Sequence, residues 1–529
     1  MDKIVILDFG SQTTQLIGRR IREWGVYTEI YPGDSPLTEE LLHECRGIIL
    51  SGSPFSVYEK DAPRPDPRLY SLGFPLLGIC YGLQRMTADL GGRVEALPER
   101  EYGAVRVTLA SNLDWSAVHP AARALLSPLI ESGTFTAWMS HGDSLSSLAP
   151  GFVELATSSH GFPAIVAHRQ NPWFGFQFHP EVTHCEKGFE LLRSFALEVC
   201  GARPQWSMAQ YVEEVRQNLA RRVGKEPVLL LISGGVDSTV AGALLLKTLD
   251  PSQVHLMYLD TGLMRKNETT VVRSNLERLG AQHLHIIHCE DEFLSALEGL
   301  TDPEEKRRTI GDLFISIQER EVARLKLPDT YFLAQGTLYT DLIESGKGVG
   351  KKAHVIKSHH NVRSPLVEAK RAAGKIIEPL DRLYKDEVRA LGRLLGVSED
   401  VVRRHPFPGP GLAVRILGEV TREKCDILRE VDAIYIEELK KRGLYDAIWQ
   451  AFAVLLPIRS VGVAGDVRKY GYVVALRAIT SEDGMTADVF PFPMKDLLEI
   501  STLITNTVPA VGRVTYDISS KPPATIEWE

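Results

Sequence analysis

"VLLLISGGVDSTVAGALLLKTL" occupies residues 228–249. Its apolar opening, Val228 to Ile232, reads as a buried strand, and the stretch from Val240 onward reads as a helix. Between them lies a glycine-rich loop. Gly234 and Gly235 let backbone N–H groups approach an anion closely, and the helix N-terminus adds partial positive charge. Ser233, Ser238 and Thr239 offer hydroxyl donors on either side of Val236. Asp237 is the informative residue. A carboxylate beside phosphate oxygens is repelled unless a divalent cation lies between them, so Asp237 predicts Mg2+. A Walker A loop would carry a lysine for the β- and γ-phosphates, and none is present. The competing reading is a plain β–α turn capped by an Asp.

The strand–loop–helix unit recurs along the chain. "KIVILDF", "RGIILSG", "FPLLGIC" and "WFGFQFH" in the first 200 residues each end in small or functional residues. That rhythm belongs to a mostly parallel sheet, whose ligands sit beyond the strand C-termini. "CGARPQW" breaks it. "MAQYVEEVRQNLARRVG" then has helical periodicity, and "PVLLLIS", "VHLMYLD", "AQHLHIIHC" and "TYFLAQG" restart the strands. The Pro/Gly cluster around "PFPGPGLAV" can be neither helix nor central strand. Beyond it, "LPIRSVGVAGD", "YGYVVALRAIT" and "RVTYDIS" read as two or three strands, joined by a helix near "MKDLLEISTLITNTV". The predicted fold is α/β, with two successive doubly wound, mostly parallel-sheet domains and a small C-terminal α+β domain. The predicted boundaries are 1–202, 203–404 and 405–529.

The composition narrows the function classes. The 529 residues are 44% apolar and 24% charged, with a formal net charge of -8. This is a globular composition, with no sign of a general nucleic-acid or membrane partner. Six scattered cysteines form no CxxC pair, which suits a reducing cytoplasm better than a disulfide framework. The N-terminal apolar run is too short for a signal peptide, and no segment approaches the roughly 20 apolar residues of a membrane span. The expected location is cytoplasmic.

"LLGICYGLQRM" places Cys80 between an apolar strand and a helix, with Gly78 and Gly82 two residues to either side. A glycine-flanked nucleophile forms a sharp elbow, and the helix dipole favours a thiolate there. The backbone N–H of Tyr81 becomes an oxyanion donor. A buried structural cysteine is the alternative. "FGFQFHPEV" supplies His179 and, two residues on, Glu181. In extended chain both side chains point the same way, so Glu181 can orient the imidazole that serves Cys80.

These residues resemble the class I glutamine amidotransferases over about residues 3–200. The pattern C-x-G-x-Q stands as Cys80, Gly82 and Gln84, and H-P-E as His179, Pro180 and Glu181. The first-strand D-x-G stands as Asp8 and Gly10, and "MSHGD" (139–143) matches a segment near the glutamine site. The oxyanion loop is "SGSP", with Gly52 at its centre. Ser53 replaces a usual glycine, so a left-handed backbone there would cost on the order of 1 kcal/mol. The resemblance implies glutamine hydrolysis through a γ-glutamyl thioester, releasing ammonia.

"SGGVDS" resembles the signature of the N-type ATP pyrophosphatases, which grip the pyrophosphate of ATP and transfer AMP. The resemblance implies adenosine contacts at Asp260 and Gly262 in "YLDTGL". Asp341 and Glu344 fall on one helical face, where they would hold metal or adenylate; a solvated face is the alternative. Lys357, His359 and His360 lie in a long basic loop. Its spacing is wrong for zinc, and a lid over ATP accounts for it better.

Across the whole chain, "EEKRRTIG", "AQGTLYTDLIES", "IKSHHNV", "RHPFPGPGLAVR" and "SKPPATIEWE" resemble the family of glutamine-hydrolysing GMP synthetases. That likeness assigns the three domains to the amidotransferase, the adenylating unit and a dimerisation and nucleotide-binding unit. The implied substrates are glutamine, ATP and xanthosine 5′-monophosphate (XMP), and the implied assembly is a homodimer through the C-terminal domain. The implied XMP contacts are Arg307, Pro408, Gly409, Pro410, Gly411, Gln450, Lys521, Ile526 and Glu527. Arg307 and Lys521 suit a phosphate, and the glycines of "PGPG" suit a purine approached by backbone.

Overall fold

The computed structural model describes residues 1–342, 364–464, 467–481 and 486–529. The chain forms two compact units. One comprises Met1–Tyr211 with the described part of Tyr339–Lys357, and the other comprises Val212–Leu338 with the described part of Ser358–Glu529.

The first unit is built on a nine-stranded sheet. Its parallel half runs in the order Tyr27–Pro32, Lys3–Asp8, Cys45–Leu50, Leu76–Ile79, Trp173–Phe176. Strands covered on both faces read as continuous apolar runs, which is why "IVIL" and "LLGI" stand out. The sheet continues antiparallel through Pro163–His168, Phe152–Ser158, Arg93–Leu109 and Thr134–Ser147. These strands face water on one side and carry mixed residues, so they left little trace in the apolar pattern. The result is a parallel half extended by an antiparallel flank.

The second unit contains two sheets. A five-stranded parallel sheet has the order His283–His288, Val254–Asp260, Val228–Ile232, Phe332–Ala334, Ile376–Ile377. Val228–Ile232 is central, and its sequence successors lie on opposite sides of it. The loop at its C-terminal end therefore opens at the topological switch point, where open α/β sheets bind ligands. The following helix, Val236–Thr248, is buried almost all round, from Ser238 to Leu246. A helix without a polar stripe belongs inside a domain, which explains the unbroken "VAGALLL".

The other sheet pairs the long hairpin Gln450–Ala464 and Val467–Thr480 with Val511–Tyr516 and Asp488–Val489. It is four-stranded rather than two- or three-stranded. The fourth strand has two residues, too few to show a period. Helices Arg422–Lys441 and Met494–Thr507 contribute to its core through Leu428, Val431, Tyr435, Ile500 and Ile504. Among the described residues no helix is long and apolar enough to cross a membrane.

Candidate active site

Two constellations stand at strand C-termini. In the first unit, Cys80 follows Leu76–Ile79 and initiates helix Tyr81–Asp89. Its φ of 51° and ψ of -109° are a strained conformation for a non-glycine residue. The elbow closes only because its flanks lack side chains. A Cβ on Gly78 would stand 2.6 Å from the Leu83 nitrogen, and one on Gly82 would stand 2.2 Å from the Leu50 carbonyl oxygen. Cys80 keeps 4% exposure. The Tyr81 side chain is buried, its hydroxyl donating to the Pro63 carbonyl at 2.6 Å. Its backbone N–H lies in the first helical turn.

His179 lies just beyond the adjacent parallel strand, Trp173–Phe176, so two neighbouring strand ends deliver the sulfur and the imidazole. His179 Nδ1 is 2.7 Å from Glu181 Oε1, and the same oxygen accepts a hydrogen bond from the Thr13 hydroxyl at 2.6 Å. Burial pulls the His179 pKa down. The charge of Glu181 and the hydrogen bonds His179 makes with Cys80 and Glu181 outweigh it and hold it well above the usual range. This favours imidazolium beside the sulfur. Gly52 packs against this ring, its position for a Cβ only 3.1 Å from His179 Cε1. Ser53 is absent from the positive-φ residues, so the expected left-handed cost does not arise. Its hydroxyl instead accepts the Phe55 N–H at 3.2 Å.

A cavity of 550 Å³ opens over Cys80 and His179, with Gln84, Arg100, His141 and Asp143 on its walls. The Asp143 carbonyl is fixed twice, by Gln84 Nε2 at 2.8 Å and by His141 Nδ1 at 2.9 Å. Behind it, His141 Nε2 lies 2.9 Å from the buried carboxylate of Glu101. Glu101 also accepts from Ser158 at 2.8 Å and approaches His160 Nδ1 at 2.7 Å. Burial alone would raise the Glu101 pKa. Its His141, Ser158 and His160 partners outweigh burial and hold it below the usual range. Sequence reasoning missed Thr13 and Glu101, because neither carries a local signature.

In the second unit, Gly234 takes a φ of +79°, and the space for its Cβ is filled by Glu268 at 2.9 Å. Around the loop, the Ser233 N–H donates to Ser238 Oγ at 3.2 Å, the Gly235 N–H to Ser233 Oγ at 3.3 Å, and Thr239 Oγ1 to the Gly235 carbonyl at 2.8 Å. Arg404, itself paired with Glu268, donates to the Gly234 carbonyl at 3.0 Å. The loop is thus braced from behind, with Val236 and Asp237 in the first helical turn.

Lys385 Nζ contacts both oxygens of Asp237 at 2.6 Å. A carboxylate in the first turn beyond a phosphate loop is the oxygen ligand Mg2+ prefers, and here both of its oxygens hold the Lys385 ammonium. Among the described residues no cluster of three His, Cys, Asp or Glu side chains could hold a metal. Asp260 accepts the Gly262 N–H at 3.3 Å and the Thr269 hydroxyl at 2.8 Å, which orders "YLDTGL". Burial, then the neighbouring Glu378, pushes Asp381 up to about 6. Lys385 and Asp381 come from "PLDRLYKDEVR", which no motif had singled out.

The predicted XMP residues separate into groups. Glu527 accepts from Gln450 Nε2 at 2.8 Å and from the buried Arg415 at 3.1 and 2.8 Å. Ile526 packs on the cluster of Phe452, Val454 and Ala475, and its carbonyl accepts from Arg477 at 2.8 Å. Arg307 donates to the Glu529 carbonyl, and Lys306 reaches the Glu529 carboxylate at 2.5 Å. Lys521 pairs through its backbone with Ala487. The tail is therefore strapped down by buried cations.

The "PGPG" turn packs on its own chain. Gly411, at φ +64°, owes its close approach to protein: its Cβ would stand 2.2 Å from the Leu263 carbonyl oxygen. That oxygen already accepts the Leu412 N–H at 2.7 Å. Pro410 is buried, while Gly409 is exposed and Pro408 half-exposed. Asp341 lies in the short helix Tyr339–Leu342, which groups with the first unit, where Tyr339 accepts the Ile30 N–H at 2.5 Å. The phosphate loop belongs to the other unit. Glu344, Lys357, His359 and His360 lie outside the described residues.

Comparison with known proteins agrees with this partition. Residues 5–199 match the family Glutamine amidotransferase class-I, residues 211–313 match Asparagine synthase, and residues 437–528 match GMP synthase C terminal domain. A protein of Aquifex aeolicus named GMP synthase (glutamine-hydrolyzing) is 48% identical over 531 residues, covering 99% of each chain. Its namesake in Nitrosococcus oceani is 49% identical over 537 residues, covering 100% of this chain and 99% of its own. Likeness at this level along the whole length, with a glycine-flanked cysteine in one unit and a lysine-free phosphate loop in the other, decides the family. The chain belongs to the glutamine-hydrolysing GMP synthases.

Proposed function

We propose that the chain is an ATP-dependent ligase that converts XMP to GMP, with glutamine as the nitrogen source. The observation that carries this reading is the pairing, in one chain, of a buried Cys80–His179–Glu181 constellation with a phosphate loop whose acidic Asp237 replaces the Walker lysine.

In the first unit, the Cys80 thiolate attacks the glutamine carboxamide carbon. The developing oxyanion meets the backbone N–H groups of Gly52 and Tyr81, and imidazolium His179 protonates the departing ammonia. His179 then deprotonates the water that cleaves the γ-glutamyl thioester, restoring the thiolate and releasing glutamate. Glu181, held by Thr13, fixes the ring throughout. Gln84 and His141 set the Asp143 carbonyl at the wall of the glutamine cavity.

In the second unit, the Ser233–Thr239 loop receives the phosphates of ATP. Mg2+ carried with ATP would neutralise phosphate charge and would be held on the protein side by Asp237. The C2 oxygen of XMP attacks the α-phosphorus, pyrophosphate leaves, and ammonia then displaces AMP from C2. Lys385 stands at the loop to offset the charge of the leaving pyrophosphate. Asp260 and Gly262 border the adenosine side, and Arg307, Gln450, Lys521 and Glu527 border XMP. Asp341, Glu344, Lys357, His359 and His360 are the residues that the family likeness implies for adenylation.

The hairpin exposes Ile458, Val461, Val463 and Tyr470. An apolar surface of this kind supports a homodimer through the C-terminal residues. A cytoplasmic location accords with six free cysteines. The experiment is product analysis of purified protein with XMP, ATP, Mg2+ and glutamine. AMP and pyrophosphate formed one for one with GMP support the reading, whereas ADP and phosphate refute it.

A further inference from the structure

A second polar cavity, of 360 Å³, lies in the second unit, and none of the residues lining it is among those assigned to ATP and XMP. Its size falls within the roughly 300–1,000 Å³ of small-molecule sites. Helix Lys385–Leu394 projects Arg389 and Arg393 into it from positions one turn apart, and Arg403 enters from the end of helix Glu399–Val402.

Three guanidinium groups around one cavity repel each other unless an anion joins them. The protein's own counter-charges are weak. Arg393 pairs with Glu399 at 2.9 Å and Arg403 pairs with Asp446, but these carboxylates are 55% and 56% exposed, where ion pairs add little. Arg389 Nε is buried with no hydrogen-bond partner among the described residues. Buried to that degree, Nε is closed to the cavity, and Arg389 can meet an occupant only through its other guanidinium nitrogens.

Asp446, the partner of Arg403, also lines the cavity, and the remaining walls are uncharged. His405 stacks on Tyr445 with centroids 3.8 Å apart and planes within 5°. Both of its ring nitrogens are engaged: Nδ1 accepts the Ala451 N–H at 3.2 Å, and Nε2 donates to the Tyr445 carbonyl at 2.9 Å. Burial, then the charges of Arg265 and Arg389, pushes its pKa down to about 4. His405 is therefore neutral and has no lone pair left for a metal. Half-buried Trp449 adds a broad aromatic surface.

We propose that this cavity is a binding site for a small phosphate ester bearing a planar ring, separate from both substrate sites. The three arginines take the phosphate, and Trp449 takes the ring by stacking. The neighbours of its lining residues carry a consequence. Trp449 precedes Gln450 and His405 precedes Pro406, and Gln450 Nε2 donates both to the Pro406 carbonyl at 3.2 Å and to Glu527 at 2.8 Å. An occupant would press on the hydrogen bonds that hold the C-terminal tail.

Binding of phenyl phosphate and of inorganic phosphate to the full-length protein, without substrates, tests this by calorimetry. Arg403→Gln alters an exposed side chain and should leave the melting curve intact. It should weaken phenyl phosphate about tenfold, as should Arg389→Gln. Trp449→Leu should weaken phenyl phosphate but spare inorganic phosphate. Ser238→Ala, in the phosphate loop, should leave this binding event unchanged. The proposal is overturned if both arginine variants bind phenyl phosphate like the unaltered protein, or if only Ser238→Ala diminishes the binding.

Discussion

Lys385 places its ammonium 2.6 Å from each carboxylate oxygen of Asp237, across 148 residues of sequence. The two side chains are 46% and 31% exposed, so the pair does little for stability. The ammonium sits on the one acidic side chain between Ser233 and Thr239, so a change at either residue alters the charge of the loop.

Asp237→Ala should therefore cripple adenylation. Pyrophosphate release should fall about a hundredfold, roughly 2.7 kcal/mol of barrier, with either glutamine or ammonium as nitrogen source. The melting curve should not move, because the pair is exposed. Undiminished turnover at ordinary Mg2+ would remove the metal role from this carboxylate.

Glu181→Gln keeps the shape at His179 and removes the charge. His179 has a raised pKa in the folded protein, so its stabilising contribution is complete below the ordinary imidazole value and is lost as pH rises through the raised value. Without the Glu181 charge that pKa falls. The alkaline limb of the glutaminase profile should shift to lower pH by about one unit or more. An alkaline limb that stays in place would show that another group sets it.

Gly411→Ala should be severe for so small a change. The new methyl carbon meets the Leu263 carbonyl at 2.2 Å, and the backbone is left-handed. The combined cost is about 2–4 kcal/mol, from overpacking and from the left-handed conformation. Denaturant unfolding measures it. A variant as stable as the parent would mean that the "PGPG" turn is not fixed by Leu263.

Asp381, pushed up to about 6 by burial and Glu378, strains the folded state once ionised. Its folded value lies above the unfolded one, so stability is lost as pH climbs from about 4 to about 6 and stays lost above that. Asp381→Asn should raise the Tm by a few degrees at pH 7.5 and leave it unchanged at pH 4, on the order of 1 kcal/mol. Equal shifts at both pH values would place the effect elsewhere than in the charge.

The parallel strands and both loops were legible because each is local. An apolar run ends in a glycine-rich turn, and Cys80, His179 and Asp237 sit within a few residues of it. What stayed hidden was long-range. Glu101 meets His141 across two antiparallel strands whose alternating surfaces give no apolar block. Arg415 and Arg477, both fully buried, read as ordinary charges until the tail folds over them. The contact of Gly411 with the Leu263 carbonyl likewise joins distant residues. Sequence patterns report on neighbours along the chain, and these contacts join residues far apart in it.

If ammonia release and adenylation are separate chemistries on separate units, Cys80→Ala, assayed for GMP formation with glutamine and then with ammonium chloride, divides them. Loss of at least about a thousandfold with glutamine, together with undiminished turnover on ammonium, is the predicted result. Loss of both activities in a folded protein would contradict the account.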